Sequence, residues 1–403
     1  MSQRDAAAGG AFHIPSLDGL RAVSILIVFL SHAGLHKFFP GWFGVTVFFF
    51  LSGYLITTLL RLEQEQTGRV SLGQFYLRRT LRIFPPFYLI LLAVVVLVQS
   101  GALKGEFSWR AVGAQGLYLS NYYEIFVGGG QPPGTEVFWS LSVEEHFYLM
   151  FPLLYIVLQR WVPQRRHQFQ VLLLLSAGVL AWRVALVYGF HVVPLDATTN
   201  HFPRTCHATD TRLDALLFGC MLAVWGNPVL DPTRFSRRFW LYGALPAGLV
   251  LLGASFAIRG AGFRETLRYT VQGLALFPVF IAAIRGTDSW LYRGLNWSWM
   301  RRLGVLSYSF YLTHSILIAC LLQWLPVPAA ASPRGRIAWL VGRGVLAFVA
   351  SWGVSALIYR MVEKPCARLR KRLSRVVQPV ATAPAASLQG VAPALPKGLA
   401  ASA

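Results

Sequence analysis

Ionisable side chains recur inside long apolar runs of this 403-residue sequence. Asp18, Arg21 and His32 fall in one run, Glu144, Glu145 and His146 in another, Arg212 and Asp214 open a third, and His314 sits in a fourth. Arg360, Glu363 and Lys364 close the last. At the centre of a bilayer each such charge costs roughly 2.5–3.5 kcal/mol, so it needs a partner or a water-filled cavity. Neutral imidazole can take the proton of an attacking hydroxyl at pH 7. His32 lies about 21 Å further along a helix than Asp18, near the far end of its run. A lone histidine at such a place is commonly an interfacial residue, and catalysis is the alternative reading. Asp18 and Arg21, three apart on one helix face, read as a self-neutralising pair.

Glu144 and Glu145 enter an otherwise apolar helix. Neighbours in a helix point about 100° apart, so one is expected to hold a structural arginine while the other faces a cavity. Such a carboxylate can accept a proton or keep a histidine oriented. Arg78, Arg79 and Arg82 precede Pro85 and Pro86. Arg79 and Arg82 share a helix face, and guanidinium forks match phosphate oxygens in pairs. Contact with anionic lipid headgroups is the competing explanation. The stretch from His191 to Asp210 holds His201, Cys206 and His207, but their spacing fits no zinc pattern, and no metal is expected. Phosphate-cradling loops, dinucleotide fingerprints, the G-x-S-x-G elbow and the HExxH motif are all missing from the sequence.

The elements that must hold these groups are membrane spans. Charged residues make up 13% of the chain and hydrophobic ones 55%, whereas soluble domains carry about 25% charged residues. A span needs about 20 apolar residues. Ten runs qualify: Leu17–Gly34, Phe43–Leu60, Phe84–Val98, Val137–Leu158, Val171–Tyr188, Leu213–Trp225, Phe239–Ala257, Tyr269–Ile284, Leu303–Leu325 and Ile337–Tyr359. The third opens on Pro85 and Pro86, and proline is tolerated at a helix start. The sixth is short. A further stretch, Ala111–Tyr123, reads as an interfacial or re-entrant piece. With the N-terminus inside, the intracellular segments hold 24 Lys and Arg and the opposite loops 9. That bias predicts an all-α polytopic bundle with both termini cytoplasmic, in a plasma membrane.

The net charge of +21 comes from these short basic clusters, and no nucleic-acid-binding motif accompanies them, so nucleic acid is not an expected partner. The four cysteines share no loop, which argues against a disulfide framework. Residues 1–13 read as a tail without a signal peptide, 14–364 as one membrane domain, and 365–403 as a basic then Ala- and Pro-rich disordered tail.

Taken in order, several segments resemble the membrane-bound acyltransferase 3 family. They are IPSLDGLRA from Ile14 with His32 closing the run, FGVTVFFFLSGYLI from Phe43, FYLRRTLRIFP from Phe75, FWSLSVEEHFY from Phe138, and SYSFYLTH ending at His314. The stretch TRLDALLFG from Thr211 also fits. The resemblance runs from about Ile14 to Lys364 and implies about ten spans. It implies transfer of an acyl group, most simply acetyl, from an acyl-CoA donor to a hydroxyl. The acceptor is a sugar of a cell-surface glycan or a small molecule such as a macrolide. His32 becomes the leading catalytic residue, and Arg79 and Arg82 the contacts for the donor phosphates. Glu144 or Glu145 would orient His32, while Trp139, Arg212 or His314 would bind the acceptor or polarise the carbonyl. A covalent acyl-histidine is the mechanistic alternative, with Cys206 as carrier behind it. A proton-coupled transporter is the competing class, because intramembrane carboxylates and histidines also build proton relays.

Overall fold

The computed structural model describes residues 14–194, 202–232, 235–287, 289–328 and 332–373, and every regular element among them is a helix. The N-terminal tail, the Ala- and Pro-rich C-terminal tail and His201 lie outside the described residues. In chain order the first helices are α1 (Pro15–Leu30), α2 (Gly41–Thr67), α3 (Leu72–Gln99), α4 (Trp109–Gly116), α5 (Ser120–Phe126), α6 (Trp139–Trp161) and α7 (Arg165–Val184). Next come α8 (Pro203–Cys206), α9 (Thr209–Val224), α10 (Leu245–Ala257), α11 (Ala261–Glu265) and α12 (Leu267–Arg285). The last are α13 (Trp290–Arg293), α14 (Ser298–Trp324), α15 (Pro333–Ile358) and α16 (Lys364–Leu373).

Among the described residues, nine helices are long and apolar enough to cross a membrane. They coincide with nine of the ten expected spans. The sixth, α9, is 16 residues long and almost wholly buried, so it is a core helix too short for a full bilayer. The expected re-entrant piece forms the two short helices α4 and α5. The outward faces of α3, α6, α7, α10 and α15 are apolar, as Leu92, Leu153, Leu174, Val250 and Val345 illustrate, and suit contact with lipid.

Two departures from expectation bear on the site. Helix α3 starts thirteen residues before Pro85 and runs through both prolines instead of beginning at them. Proline removes the N–H that the carbonyl four residues earlier would use. The helix nevertheless continues, with α14 packed alongside and Tyr308 donating its hydroxyl to the Ile83 carbonyl of the neighbouring residue in that turn (2.8 Å). Arg79 and Arg82 are thereby held on a continuous helix. The basic stretch from Lys364 is also helical as far as Leu373.

Helix α9 is the hub. Gly53 of α2 and Gly219 of α9 let the two backbones touch: a Cβ on Gly53 would lie 2.0 Å from the Leu216 carbonyl, and one on Gly219 2.0 Å from that of Phe50. Small residues are the usual means of such close approach in membranes. Deep in the same hub, Arg183 pairs with Asp214 at 2.7 Å, both side chains fully buried. Arg183 also donates to the Thr211 carbonyl and to Thr270. Removing one member of a buried pair strands the other, so Asp214→Ala is expected to cost about 3–5 kcal/mol. Thermal unfolding in detergent measures this, and an unchanged Tm would contradict the pairing.

Candidate active site

Among the described residues, two of the cavities lie toward opposite ends of α1. The first, about 200 Å³, lies beside the N-terminal half of α1 and the arginines of α3. Asp18, Arg21, Arg79, Arg82, Glu144, Glu145 and Tyr148 supply its polar lining. Asp18 and Arg21 approach to 3.5 Å, as the self-neutralising reading expects. Arg78 points elsewhere and clasps Glu63 at 2.7 Å, while Glu63 also accepts from the Ser71 N–H. Arg79 lies between the rings of Phe75 and Tyr148, 5.6 and 5.5 Å from their centroids. Its Nε is buried without a hydrogen-bond acceptor. Among the described residues, neither Arg79 nor Arg82 has a carboxylate within ion-pair distance.

Both Glu144 and Glu145 line this first cavity, so the expected division between a structural and a cavity-facing carboxylate does not occur. The Glu144 carboxylate accepts from Ser52 (2.8 Å) and Tyr148 (3.3 Å). The structure therefore places the pair with the arginines and not beside His32. A helical turn and more separates Glu144 from Trp139, which is the residue of α6 that reaches the other cavity.

The second cavity, about 230 Å³, is lined by His32, Glu124, Glu136, Trp139, Cys206, His207, Arg212 and Tyr311, among others. His32 stands in a widened turn, Ser31–Leu35, that ends α1 where Gly34 takes a positive φ of 102°. Gly tolerates that conformation without strain, and it lets the chain leave the helix directly after His32. His32 Nδ1 donates to the Val28 carbonyl at 2.8 Å. In the neutral ring that bond makes Nε2 the basic nitrogen. Behind His32 lies His314, fully buried, with ring centroids 5.1 Å apart in an edge-to-face arrangement. His314 Nδ1 donates to the Tyr311 carbonyl (2.7 Å), and His314 is not among the residues lining either cavity.

Arg212 is almost fully buried, donates to Thr46 (2.8 Å) and stacks on Tyr269, its guanidinium carbon 3.9 Å from the ring centroid. Its Nε has no acceptor. Trp139 offers the cavity little free face, because His207 stacks on it at 4.1 Å and 14°. His207 in turn pairs with Glu124 at 3.0 Å. Sequence reasoning assigned no role to Glu124, Glu136 or His207. Glu124 and His207 are 83 residues apart, so only the fold brings them together.

Burial opposes charge on His207, but the adjacent Cys206 sulfur and the Glu124 carboxylate outweigh it, and the pKa is pushed up to about 9. Arg212, Glu136 and His32 share the same space. A raised histidine pKa gives stabilisation that is full below the ordinary value near 6.5 and lost as pH rises through about 9. The expected result is a stability loss on the order of 2 kcal/mol between pH 7 and 10. Thermal unfolding across that range reads it, and Glu124→Gln should flatten the profile. A profile unaffected by that substitution would contradict the pairing.

Comparison with known proteins bears on this arrangement. The peptidoglycan O-acetyltransferase OatA of Listeria monocytogenes is 29% identical over 372 residues, covering 88% of this chain and 56% of that one. The "Putative peptidoglycan O-acetyltransferase YrhL" of Bacillus subtilis is 29% identical over 366 residues, covering 88% and 55%. A "Putative O-acetyltransferase" of Staphylococcus aureus is 29% identical over 326 residues, covering 76% and 51%. The chain thus spans about half the length of the curated relatives it matches. No solved structure matches it significantly. A family model described as an acyltransferase domain matches residues 14–360, which include both cavities and all but the chain's ends. The chain is a multi-pass membrane protein, and it belongs to this acyltransferase family.

Proposed function

We propose that this protein is a membrane-embedded O-acyltransferase that takes an acetyl group from acetyl-CoA and delivers it to a hydroxyl of a cell-wall glycan. The observation that carries this reading is the pair Arg79 and Arg82, two guanidiniums that line a cavity inside a membrane bundle with no carboxylate within ion-pair distance among the described residues. Arginines without a directly paired carboxylate in such a place suit an anionic ligand, and phosphate oxygens fit their fork geometry. A drug-sized ligand fills about 300–1,000 Å³. A cavity of about 200 Å³ suits the narrow arm of such a donor, with its nucleotide end outside. The basic bias supports a cytoplasmic placement of the arginines and both termini, in a plasma membrane. The relatives' names support a glycan acceptor over a macrolide.

The chemistry falls to the second cavity. The donor supplies an activated acyl thioester. His32 Nε2 accepts the proton of the attacking hydroxyl as the new C–O bond forms, and passes that proton to the departing thiolate as the C–S bond breaks. Arg212, buried and fixed by Thr46 and Tyr269, is suited to stabilise the oxyanion. His314 backs His32 and limits its tilt, a positioning role and not a substrate contact. Glu144 and Glu145 share the arginine cavity and add to its polarity before the donor enters.

The test is direct. Purified protein offered acetyl-CoA and glycan fragments should release free thiol and yield fragments heavier by one acetyl group in mass spectrometry. Thiol release no faster than in protein-free controls would overturn the proposal, and solute flux without thioester consumption would point to a transporter.

A further inference from the structure

Tyr311 and Val45 line both cavities and stand between them. Both are buried, 7% and 6% exposed. The Tyr311 hydroxyl meets both the first turn of α6 and the residues just before it. It shares a 2.7 Å hydrogen bond with Ser140, which lines the first cavity, and lies 2.9 Å from the carbonyl of Val137, which lines the second. One hydroxyl carries one proton, so at any moment it donates to one of these and accepts from, or merely touches, the other. The ring is hemmed in on α2 by Phe48, 6.4 Å away, and on its own helix by His314, 5.5 Å away.

We infer that Tyr311 is the partition an acyl group must pass between the two cavities, and that its ring sets the length of the acyl chain transferred. This rests on the acyltransferase reading above. If the acyl carbonyl is to reach His32, the tail attached to it must lie where the Tyr311 ring now bounds the second cavity. An acetyl group adds one methyl there. Each further methylene competes for space with the ring or requires the hydroxyl to leave Ser140 and Val137. An alanine at this position would empty a volume the size of a phenol and admit a longer tail.

The experiment compares purified wild type, Tyr311→Ala and Tyr311→Phe, each given acetyl-CoA and butyryl-CoA with the same glycan acceptor. The readout is the ratio of kcat/KM for butyryl to that for acetyl. Wild type should prefer acetyl. Tyr311→Ala should raise the ratio about tenfold or more, the scale on which pockets discriminate methylenes. Tyr311→Phe keeps the ring but loses both tethers, and should shift the ratio in the same direction by less. Because this change removes only a hydroxyl, it keeps the test open should the alanine variant fail to fold. A ratio equal to wild type in a folded, active Tyr311→Ala, or in Tyr311→Phe where alanine does not fold, would overturn the inference while leaving the acyltransferase reading intact. Absence of thiol release in wild type would instead overturn that reading.

Discussion

Replacing His32 with alanine is expected to lower acyl transfer by about 10²–10⁴-fold, the usual contribution of a positioned general base. The effect should fall on kcat, with donor KM little changed, because His32 lies in the cavity opposite the arginines. His32 is exposed at the end of α1, where its Nδ1 donates to the Val28 carbonyl of the same helix. Tm in detergent should therefore hold while thiol release collapses. His32→Gln should be as inactive, since an amide can reach the same space but cannot take a proton at neutral pH. Full activity in either variant would remove His32 from the chemistry.

The second large effect is expected on donor binding. Hydrogen bonds to charged groups contribute about 1.5–3 kcal/mol each, so Arg79→Ala and Arg82→Ala should each raise the KM for acetyl-CoA about 10- to 100-fold. Lysine at either position should rescue only part of that, being a point charge in place of a planar fork. A thioester donor without phosphates separates this from lost packing. With acetyl-pantetheine, wild type and variants should differ by less than about threefold. The distinction matters for Arg79, which also packs on Phe75 and Tyr148. Equal losses with both donors would assign the arginines to structure or to lipid headgroups instead of to donor phosphates.

Much of this was legible in the sequence because membranes penalise charge. An apolar run interrupted by His32, Arg212 or a glutamate pair announces itself, and the length of each run gave nine spans close to where the helices lie. The short α9 was visible as an undersized run, though not as the hub of the fold, since that follows from Gly53 and Gly219 meeting across helices distant in the chain. Arg79 and Arg82 were set apart from Arg78 by the family resemblance, not by spacing, since Arg78 is also within one turn of Arg82; in the structure Arg78 turns to Glu63.

What could not be read was direction and depth. Helical geometry says that Glu144 and Glu145 diverge, but not that one cavity is wide enough to meet both. Nor does it say that α6 presents Trp139 to one cavity and the glutamates to the other. The continuous α3 was hidden because Pro85 and Pro86 ordinarily mark a boundary. Tyr311 lay within the SYSFYLTH stretch but carried no signal of its own. It is one aromatic among many in an apolar helix, and its place between two cavities exists only once α2, α6 and α14 are packed.

Donor and acceptor are expected to meet across the protein from opposite faces. Sealed proteoliposomes reveal whether they do. Labelled acetyl-CoA, which does not cross a bilayer unaided, is added outside, with glycan fragments either trapped inside or supplied outside. Only molecules with Arg79 and Arg82 facing outward can engage the donor, so random insertion does not blur the result. The account predicts label on the trapped fragments and none above background on those outside. Label confined to fragments on the donor's own side would contradict it.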